Sequence, residues 1–465
     1  MAKLKLRGKD LIEIGYPQKG KVISIAIEVM LRNFKHERKD KALQRLKTIL
    51  KNPEKYLGDG MVGRIAEELT TPVQVEAKKL ETKRAPFTIF GENGIEEEAK
   101  HQLYTALKLP IAKAGALMPD GHAGYGLPIG GVLAAKDAVI PYGVGVDIGC
   151  RMCLSLYDIP ASYIDGHRDK YVNMLQEHTK FGGYETHKRI NDHEIFDRSE
   201  FRDIPTVKKL FKKAYKQLGS SGGGNHFVEF GIVDISDVNN EFNIPIGKYL
   251  GILSHSGSRG LGANIAKHYT KLAIQQTPLP GEAKNLAWLD LNTHDGQEYW
   301  LAMNLAGDYA SACHHDIHKR LGKALGARPL AMVENHHNFA WKEIVNGEEL
   351  IVHRKGATPA QKGVLGIIPG SMTAPGFIVR GTGNKHSLQS ASHGAGRQLS
   401  RRKAKQTITQ SEIKKQLKDH GVTLIGGGID EAPMAYKNIH QVMSNQTELV
   451  EVVGSFTPKI VRMDR

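Results

Sequence analysis

Asp147 and Cys150 stand three positions apart behind the glycine-rich run Gly143-Val144-Gly145-Val146, where neither turn formation nor packing calls for that pairing. Four Gly/Ser/Asn-rich segments downstream then present histidine. They are Gly222-Gly223-Gly224-Asn225-His226-Phe227-Val228-Glu229, Ser254-His255-Ser256-Gly257-Ser258-Arg259-Gly260, Asn335-His336-His337-Asn338, and Ser390-Ala391-Ser392-His393-Gly394-Ala395-Gly396-Arg397. Small residues let a backbone approach a ligand closely while an imidazole projects from a turn. Carboxylate, thiolate and imidazole together suit a borderline divalent ion such as zinc, manganese, cobalt or iron. A thiolate can bridge two ions, so one Asp, one Cys and three His can serve a two-metal site that neutralises charge in phosphoryl transfer. Four histidine segments exceed that need by one. The histidine left over can act as a nucleophile that forms a phosphoramidate. His393 is the candidate, because Arg397 and the basic run Arg401-Arg402-Lys403-Ala404-Lys405 behind it favour a phosphate there.

Missing motifs narrow this chemistry. The chain has no Gly-x-x-x-x-Gly-Lys-Ser/Thr loop, no Gly-x-Gly-x-x-Gly, and no Lys-x-Asp-Gly, the lysine-nucleophile signature of ordinary nucleotidyl-transferring ligases. Covalent nucleotide chemistry here needs a different nucleophile, a vacancy His393 fits. His314 and His318 have the i, i+4 spacing of a metal pair, but no third ligand type stands near them in sequence. They are expected on a helix surface, and Cys313 in the core.

Such distant turns need a scaffold that gathers them. From Met118 onward, short apolar runs such as Leu250-Gly251-Ile252-Leu253 and Gly363-Val364-Leu365-Gly366-Ile367-Ile368 predict buried strands between glycine-rich turns. Val207, Leu210, Phe211, Ala214, Tyr215 and Leu218 share one face of a helix predicted to stop at Gly219, so the following loop presents Asn225 and His226. A second long helix is expected over 298–321, with Met303, Ala306, Ala310, Cys313 and Ile317 on its apolar stripe. A further helical pattern covers 23–50. These strands and helices predict an α/β (α+β) protein; that it is a single large catalytic domain at 101–465, with mixed sheets around a two-metal site, is what the family resemblance given below implies. Residues 1–100 are expected to form an accessory region packed on it.

Composition sets the setting. Three cysteines in 465 residues, Cys150, Cys153 and Cys313, give no disulfide framework and point to a reducing compartment. Charges interrupt every apolar pair in the first ten residues, and no run approaches a membrane span, so a cytoplasmic protein without a membrane partner is expected. The net charge of +15 attracts polyanions, nucleic acid first among them. Lysines and arginines crowd 32–55 and again 397–418.

At these residues the chain closely resembles the RtcB family of GTP-dependent RNA ligases, over nearly everything from Met118 to Val453. The resemblance rests on the Asp147 to Cys150 tetrapeptide and the four histidine segments, with Met118-Pro119-Asp120-Gly121-His122 and Gly126-Leu127-Pro128-Ile129-Gly130-Gly131. It extends through His353-Arg354-Lys355-Gly356-Ala357-Thr358, Pro369-Gly370-Ser371-Met372 and Asp430-Glu431-Ala432-Pro433-Met434-Ala435-Tyr436-Lys437. It implies a distinctive α/β catalytic domain that binds two manganese ions and GTP. By motif position, Asp147, Cys150, His226, His255 and His337 are the implied metal ligands, with Cys150 shared between the ions. His393 is implied to attack the GTP α-phosphate, giving a guanylylated histidine and pyrophosphate. Asn225, Glu229, His337, Asn338, Pro369, Gly370, Ser371, Met372, His393, Gly394, Ala395 and Gly396 are implied to form the guanylate pocket. Asp120 or His122 is a candidate for assisting a proton transfer.

The implied reaction opens a 2′,3′-cyclic phosphate, transfers GMP to the 3′-phosphate, and joins a 5′-hydroxyl end with loss of GMP. The implied partners are RNA, as tRNA halves or cleaved RNA, GTP, and, as for some members, an archease-type activator; a monomer is favoured. The alternative is a manganese-dependent RNA end-processing or 3′-phosphate guanylyl-capping enzyme without efficient ligation. Three positions depart from the family pattern. Arg151 follows Cys150 where members commonly carry Gly, and is read as a substrate-phosphate contact. Gly376 stands near where a small hydroxyl residue usually contacts the nucleotide. Met463 takes the place of a Lys reported to contact guanine, with Arg462 or Arg465 as its substitute.

Overall fold

The computed structural model describes residues 4–17, 21–70, 77–188 and 192–464; residues 1–3 and Arg465 lie outside them. The chain divides into two compact units, 1–76 and 77–465, so residues 77–100 pack within the larger one. In the smaller unit the helical pattern over 23–50 forms two helices, Val22–Asn33 and Lys39–Lys51. Charged residues crowd the turn between them, and the apolar faces, including Ala26, Met30, Leu46 and Ile49, close a core with Leu11 and Ile65.

Twelve strands of the larger unit carry the site. In chain order they are β1 (Phe87–Ile89), β2 (Ala112–Tyr125), β3 (Leu127–Ala135), β4 (Arg151–Pro160), β5 (Phe227–Ile235) and β6 (Gly247–Ser256). They continue as β7 (Ala331–His336), β8 (Asn338–Val345), β9 (Glu348–Lys355), β10 (Leu365–Ile368), β11 (Gly376–Gly381) and β12 (Val450–Met463). One sheet runs β1-β2-β3-β9-β8, in which β1 and β2 are parallel and the other pairs antiparallel. The larger sheet runs β10-β11-β12-β5-β6-β4-β7 in antiparallel pairs, and Thr423–Ile425 joins β12 in parallel. Its two end strands meet through Asn335, whose side-chain amide donates to the Ile367 carbonyl at 3.3 Å and accepts from the Ile367 N–H at 2.8 Å. The sheet is thereby curled into a nearly closed barrel, which covers edges that would otherwise be open.

Alternation along β4 explains what each side of the barrel wall receives. Met152, Leu154 and Leu156 face the interior, packed with Leu253, Val333, Ile367 and Phe456. Cys153, Ser155 and Tyr157 face outward, toward the helix His294–Leu325. That helix outruns its expected 298–321 span because both ends are capped. The Thr293 hydroxyl accepts the Gly296 N–H at 3.2 Å, and Gly326 closes the far end in the left-handed conformation, φ 71°. The helix expected over 207–218 is instead two short pieces, Pro205–Lys208 and Phe211–Gln217. Val207, Ala214 and Leu218 are buried all the same, because core packing rather than a continuous helical ladder holds them. No helix of the described residues is long and apolar enough to cross a membrane.

Candidate functional site

Antiparallel register gathers the ligand-bearing turns at one end of the barrel. Arg151 pairs with both Ser256 and His336, and His255 pairs with both Met152 and Phe227. Cys150 immediately precedes β4, His226 immediately precedes β5, and His255 is the penultimate residue of β6. His337 is the single residue between β7 of the barrel and β8 of the other sheet. These positions meet although they are far apart in sequence, and Asp147 enters from the turn before β4.

Cys150 Sγ lies 3.3 Å from His226 Nε2 and 3.2 Å from His255 Nε2. His255 Nε2 lies 3.3 Å from His337 Nε2, and Asp147 Oδ2 lies 2.8 Å from His226 Nε2. Cys150/His255/His337 and Asp147/Cys150/His226 form two triplets, each with its ligand atoms within 4.8 Å of one another, and they share the thiol. Donors around an ion at ~2.1 Å are spaced by roughly 3.3 Å, which is the spacing found. His255 Nδ1 faces the Asn225 carbonyl at 3.0 Å; a carbonyl only accepts, so the ring proton sits there and Nε2 keeps its lone pair. Glycine supplies the room. A Cβ on Gly257 would overlap the Asp147 carboxylate, and one on Gly222 the His226 ring.

The electrostatics favour the same use. Burial lowers His255 to about 3 and His337 well below its usual value, and neighbouring histidines push both the same way, so both imidazoles are neutral, as ligands must be. Burial, then the Asp147 charge, raises the Cys150 thiol. A divalent cation beside it reverses that preference, because the thiolate is the ligand form. Among the described residues His226 Nδ1 and His337 Nδ1 are buried without a hydrogen-bond partner, so these rings are held on the protein side only through Nε2. The donor set fits divalent ions of the zinc or manganese kind.

His393 stands beside His337, ring centroids 5.0 Å apart. Its Nδ1 is 2.6 Å from Asp120 Oδ2, which also accepts the His393 backbone N–H at 3.1 Å. The carboxylate holds the Nδ1 proton and leaves Nε2 bare. Burial raises the Asp120 carboxyl, but the charge and hydrogen bond of His393 outweigh it and hold it below its usual value. His122 is half-buried, with Nδ1 3.0 Å from the Asp120 carbonyl, and burial brings it down to about 4. The approach to His393 is fixed by Arg354, which is fully buried. It donates to both Glu343 oxygens at 2.7 and 3.0 Å, to Ser390 Oγ at 2.7 Å and to the Leu388 carbonyl at 2.9 Å. The His353 to Thr358 motif carries no sequence signal for this task, since no spacing rule reveals which carboxylate a buried arginine meets.

A cavity of about 360 Å³ joins these groups. Every metal-ligand, guanylate-pocket and catalytic candidate from the sequence lines it except Asp120, which is buried behind His393. One wall is apolar, made by Phe227, Phe456, Val461 and Met463, and the sequence singled out only the last of these. The alternation of Phe227 with Glu229 beside His226 was the available cue. Burial pushes the Glu229 carboxyl well up, and among the described residues nothing hydrogen-bonds it. Gly376 lines the cavity, and so do Arg397 and Arg401. Arg401 is shared with Asp430 at 2.8 Å and with Glu431, and Lys405 is 3.5 Å from Asp430, so part of the basic run is already paired.

Three expectations need correction. Arg151 does not face the cavity. Alternation on β4 turns it outward, where it is buried and donates to the Gly307 carbonyl and His336 Nδ1, both at 2.9 Å, and pairs with Glu334 at 3.2 Å. Arg462 likewise points away from its neighbour Met463 and donates to the carbonyls of Leu175, Gln176 and Thr179 at 2.6, 2.8 and 3.0 Å. His314 and His318 are not on the surface. Both are buried against the barrel wall, where Cys153 joins them as a third Cys/His cluster, because the missing ligand type arrives from β4 rather than from the helix. Here Ser155 Oγ is 2.6 Å from His318 Nδ1, Ser254 Oγ is 2.8 Å from His318 Nε2 and 2.6 Å from His314 Nδ1, and His314 Nε2 is 3.1 Å from the Ser256 carbonyl. That carbonyl only accepts, so every proton in the chain is assigned in one direction. All four ring nitrogens are occupied.

A family model described as tRNA-splicing ligase RtcB matches residues 102–204 and 179–464. The RNA-splicing ligase RtcB of Escherichia coli (strain K12) is 35% identical over 404 residues, covering 80% of this chain and 96% of that protein. The tRNA-splicing ligase RtcB of Nanoarchaeum equitans is 32% identical over 454 residues, covering 81% and 94%. The tRNA-splicing ligase RtcB of Thermococcus kodakarensis is 29% identical over 455 residues, again covering 81% and 94%.

Proposed function

This chain belongs to the RtcB family, and on that premise we propose that it is an RNA ligase joining 2′,3′-cyclic phosphate or 3′-phosphate ends to 5′-hydroxyl ends through a guanylylated histidine. The observation that carries this reading is His393 Nε2, left bare because Asp120 holds Nδ1, beside the clustered donors of Asp147, Cys150, His226, His255 and His337. His393 Nε2 attacks the α-phosphorus of GTP, a P–N bond forms, and pyrophosphate leaves. Asp120 stabilises the positive charge that the ring then acquires. GMP passes to the RNA 3′-phosphate, which is a poor electrophile until it carries such a leaving group, and the 5′-hydroxyl displaces it. Two manganese ions held by the five ligands supply, when bound, the charge neutralisation that converging phosphates need.

Base choice falls to the apolar wall. Guanine offers two adjacent donors on its pairing edge, which favour the ionised form of Glu229 against the effect of burial and are accepted by its two oxygens, whereas adenine offers a donor beside an acceptor. Met463 gives the base a packing surface in place of a hydrogen bond. The substrates are tRNA halves or cleaved RNA in the cytoplasm, acted on by a monomer, with an archease-type activator for turnover. The test is incubation with α-labelled GTP and manganese. Label is expected on the wild type and absent from His393→Ala, and α-labelled ATP is expected to leave the wild type unlabelled. Label that survives in His393→Ala overturns the mechanism. An RNA product that carries GMP but never joins a 5′-hydroxyl strand overturns ligation in favour of 3′-end capping.

A further inference from the structure

On the far side of His122 from the metal ligands lies a second groove, of about 530 Å³, continuous with the first cavity in that His122 and Arg397 line both. Asp120 orients two imidazoles at once. Its carboxylate takes Nδ1 of His393 and its carbonyl takes Nδ1 of His122, so each ring keeps a bare Nε2. The role of His393 Nε2 follows from the nucleotide cavity, whereas that of His122 depends on what the second groove holds.

The groove has a definite chemistry. The side-chain amides of Asn93, Gln441 and Asn445 line it and, among the described residues, make no protein hydrogen bond. Each offers a donor and an acceptor, which suits a ribose or a base edge rather than a purely anionic or apolar ligand. Lys437 Nζ donates to the Gly121 carbonyl at 2.7 Å and lies 3.4 Å from that of Pro119, which leaves one of its three protons for a ligand. Glu96 is the one acid in the lining, and it is engaged with the Ala123 N–H at 2.5 Å. The volume accommodates about one nucleotide.

We propose that this groove seats the 5′-terminal nucleotide of the acceptor RNA strand, with its 5′-hydroxyl against His122 Nε2. The inference rests on the ligase reading given above. In the joining step the O–H bond of the 5′-hydroxyl breaks and its proton passes to His122 Nε2. The 5′-oxygen forms its bond to the guanylylated 3′-phosphorus, and the bond to GMP breaks, so GMP leaves with the electron pair. Arg397 lines both cavities and forms part of the wall between them, its guanidinium held in place by the Leu399 and Asp430 carbonyls at 3.1 and 2.6 Å and by Glu431 at 3.4 Å.

The experiment follows protein guanylylation with labelled GTP and, separately, sealing as a function of 5′-hydroxyl strand concentration. Asn445→Trp fills the groove and Gln441→Glu sets a negative charge against the incoming backbone; either is expected to raise KM for the acceptor strand about tenfold, with guanylylation within about twofold of wild type. His122→Asn is expected to lower the sealing rate about 100-fold at saturating acceptor while guanylylated 3′-ends accumulate. Should Asn445→Trp fail to guanylylate, Gln441→Glu decides. An acceptor KM within about twofold of wild type in a variant that guanylylates normally overturns the subsite alone. A wild type that neither takes up GMP nor seals overturns the ligase reading and the subsite with it.

Discussion

Two sets of one cysteine and two histidines lie on opposite faces of the same barrel wall, and they differ in how far their ring nitrogens are already hydrogen-bonded. Cys150 and Cys153 are three residues apart on either side of the start of β4, and His255 sits between Ser254 and Ser256 on β6, so strand alternation deals the residues to the two faces. In the outward set, two serine hydroxyls and the Ser256 carbonyl occupy every nitrogen of His314 and His318. In the inward set the nitrogens face one another and the thiol, and glycines clear the space for the carboxylate and for a ring. Ligand type is therefore a poor guide by itself. What separates a candidate metal centre from a polar core is whether the hydrogen-bonding capacity has already been used.

The contrast breaks most sharply under substitution of equivalent residues. Cys150→Ser, and Gly257→Ala, whose Cβ would occupy the place of the Asp147 carboxylate, are expected to cut bound manganese from about two ions per chain to below one and to abolish sealing. Gly281→Ala, which meets nothing within 4 Å, is the matched control. Elemental analysis of the purified proteins reads this directly, and equal metal loss in Cys153→Ser would erase the distinction. Next in size, His314→Ala strands Ser254 and the Ser256 carbonyl and leaves a void. It is expected to cost about 3 kcal/mol in denaturant unfolding, with the metal content of the folded fraction unchanged.

Acid sharpens the comparison further. Burial lowers His318 to about 3, so the folded protein holds it neutral while the unfolded chain protonates it near its ordinary 6.5. A depressed folded value gives stability that is present above 6.5 and is lost as the pH falls toward 3. At pH 5 the loss from this one ring is about 2 kcal/mol relative to pH 7. His318→Gln, which cannot titrate, is expected to show a correspondingly shallower decline between pH 7 and pH 5. An identical decline in the two proteins would mean that the ring does not remain neutral in the fold.

The inward face was largely legible in the sequence because its chemistry is local. Each ligand follows or precedes a glycine-rich turn, and Gly222-Gly223-Gly224-Asn225-His226 is unusual as a packing segment. The outward face was not, because His314 and His318 read as ordinary helix residues until β4 and β6 supply Ser155, Ser254 and Cys153 through long-range pairing. Arg151 was misjudged for the same reason. Beside Cys150 a cation suggests a phosphate, yet one residue of register places it on the other face against Glu334. Strand runs such as 250–253 were readable from composition, whereas the closure of the barrel runs through the Asn335 amide and the packing of Val333 on Ile367, long-range contacts that the Asn335 to Asn338 segment does not announce.

The smallest expected effect isolates the thiol of the outward set. Burial, then the Glu334 charge, pushes the Cys153 thiol well above its usual value, so it is a protonated, inert group that serves as a small hydrophobe. Neither ring nitrogen of His314 or His318 depends on it, since serines and a carbonyl complete their hydrogen bonds. Cys153→Ala should therefore cost about 1 kcal/mol, the loss of a buried sulfur's packing, and leave metal content, guanylylation and sealing at wild-type levels. Alkylation of the native metal-free protein by iodoacetamide should likewise spare Cys153 until the protein unfolds. Rapid native alkylation at Cys153, or release of a stoichiometric ion when it is replaced, would show the outward cluster to be a metal site after all and would remove hydrogen-bond saturation as the feature that tells the two faces apart.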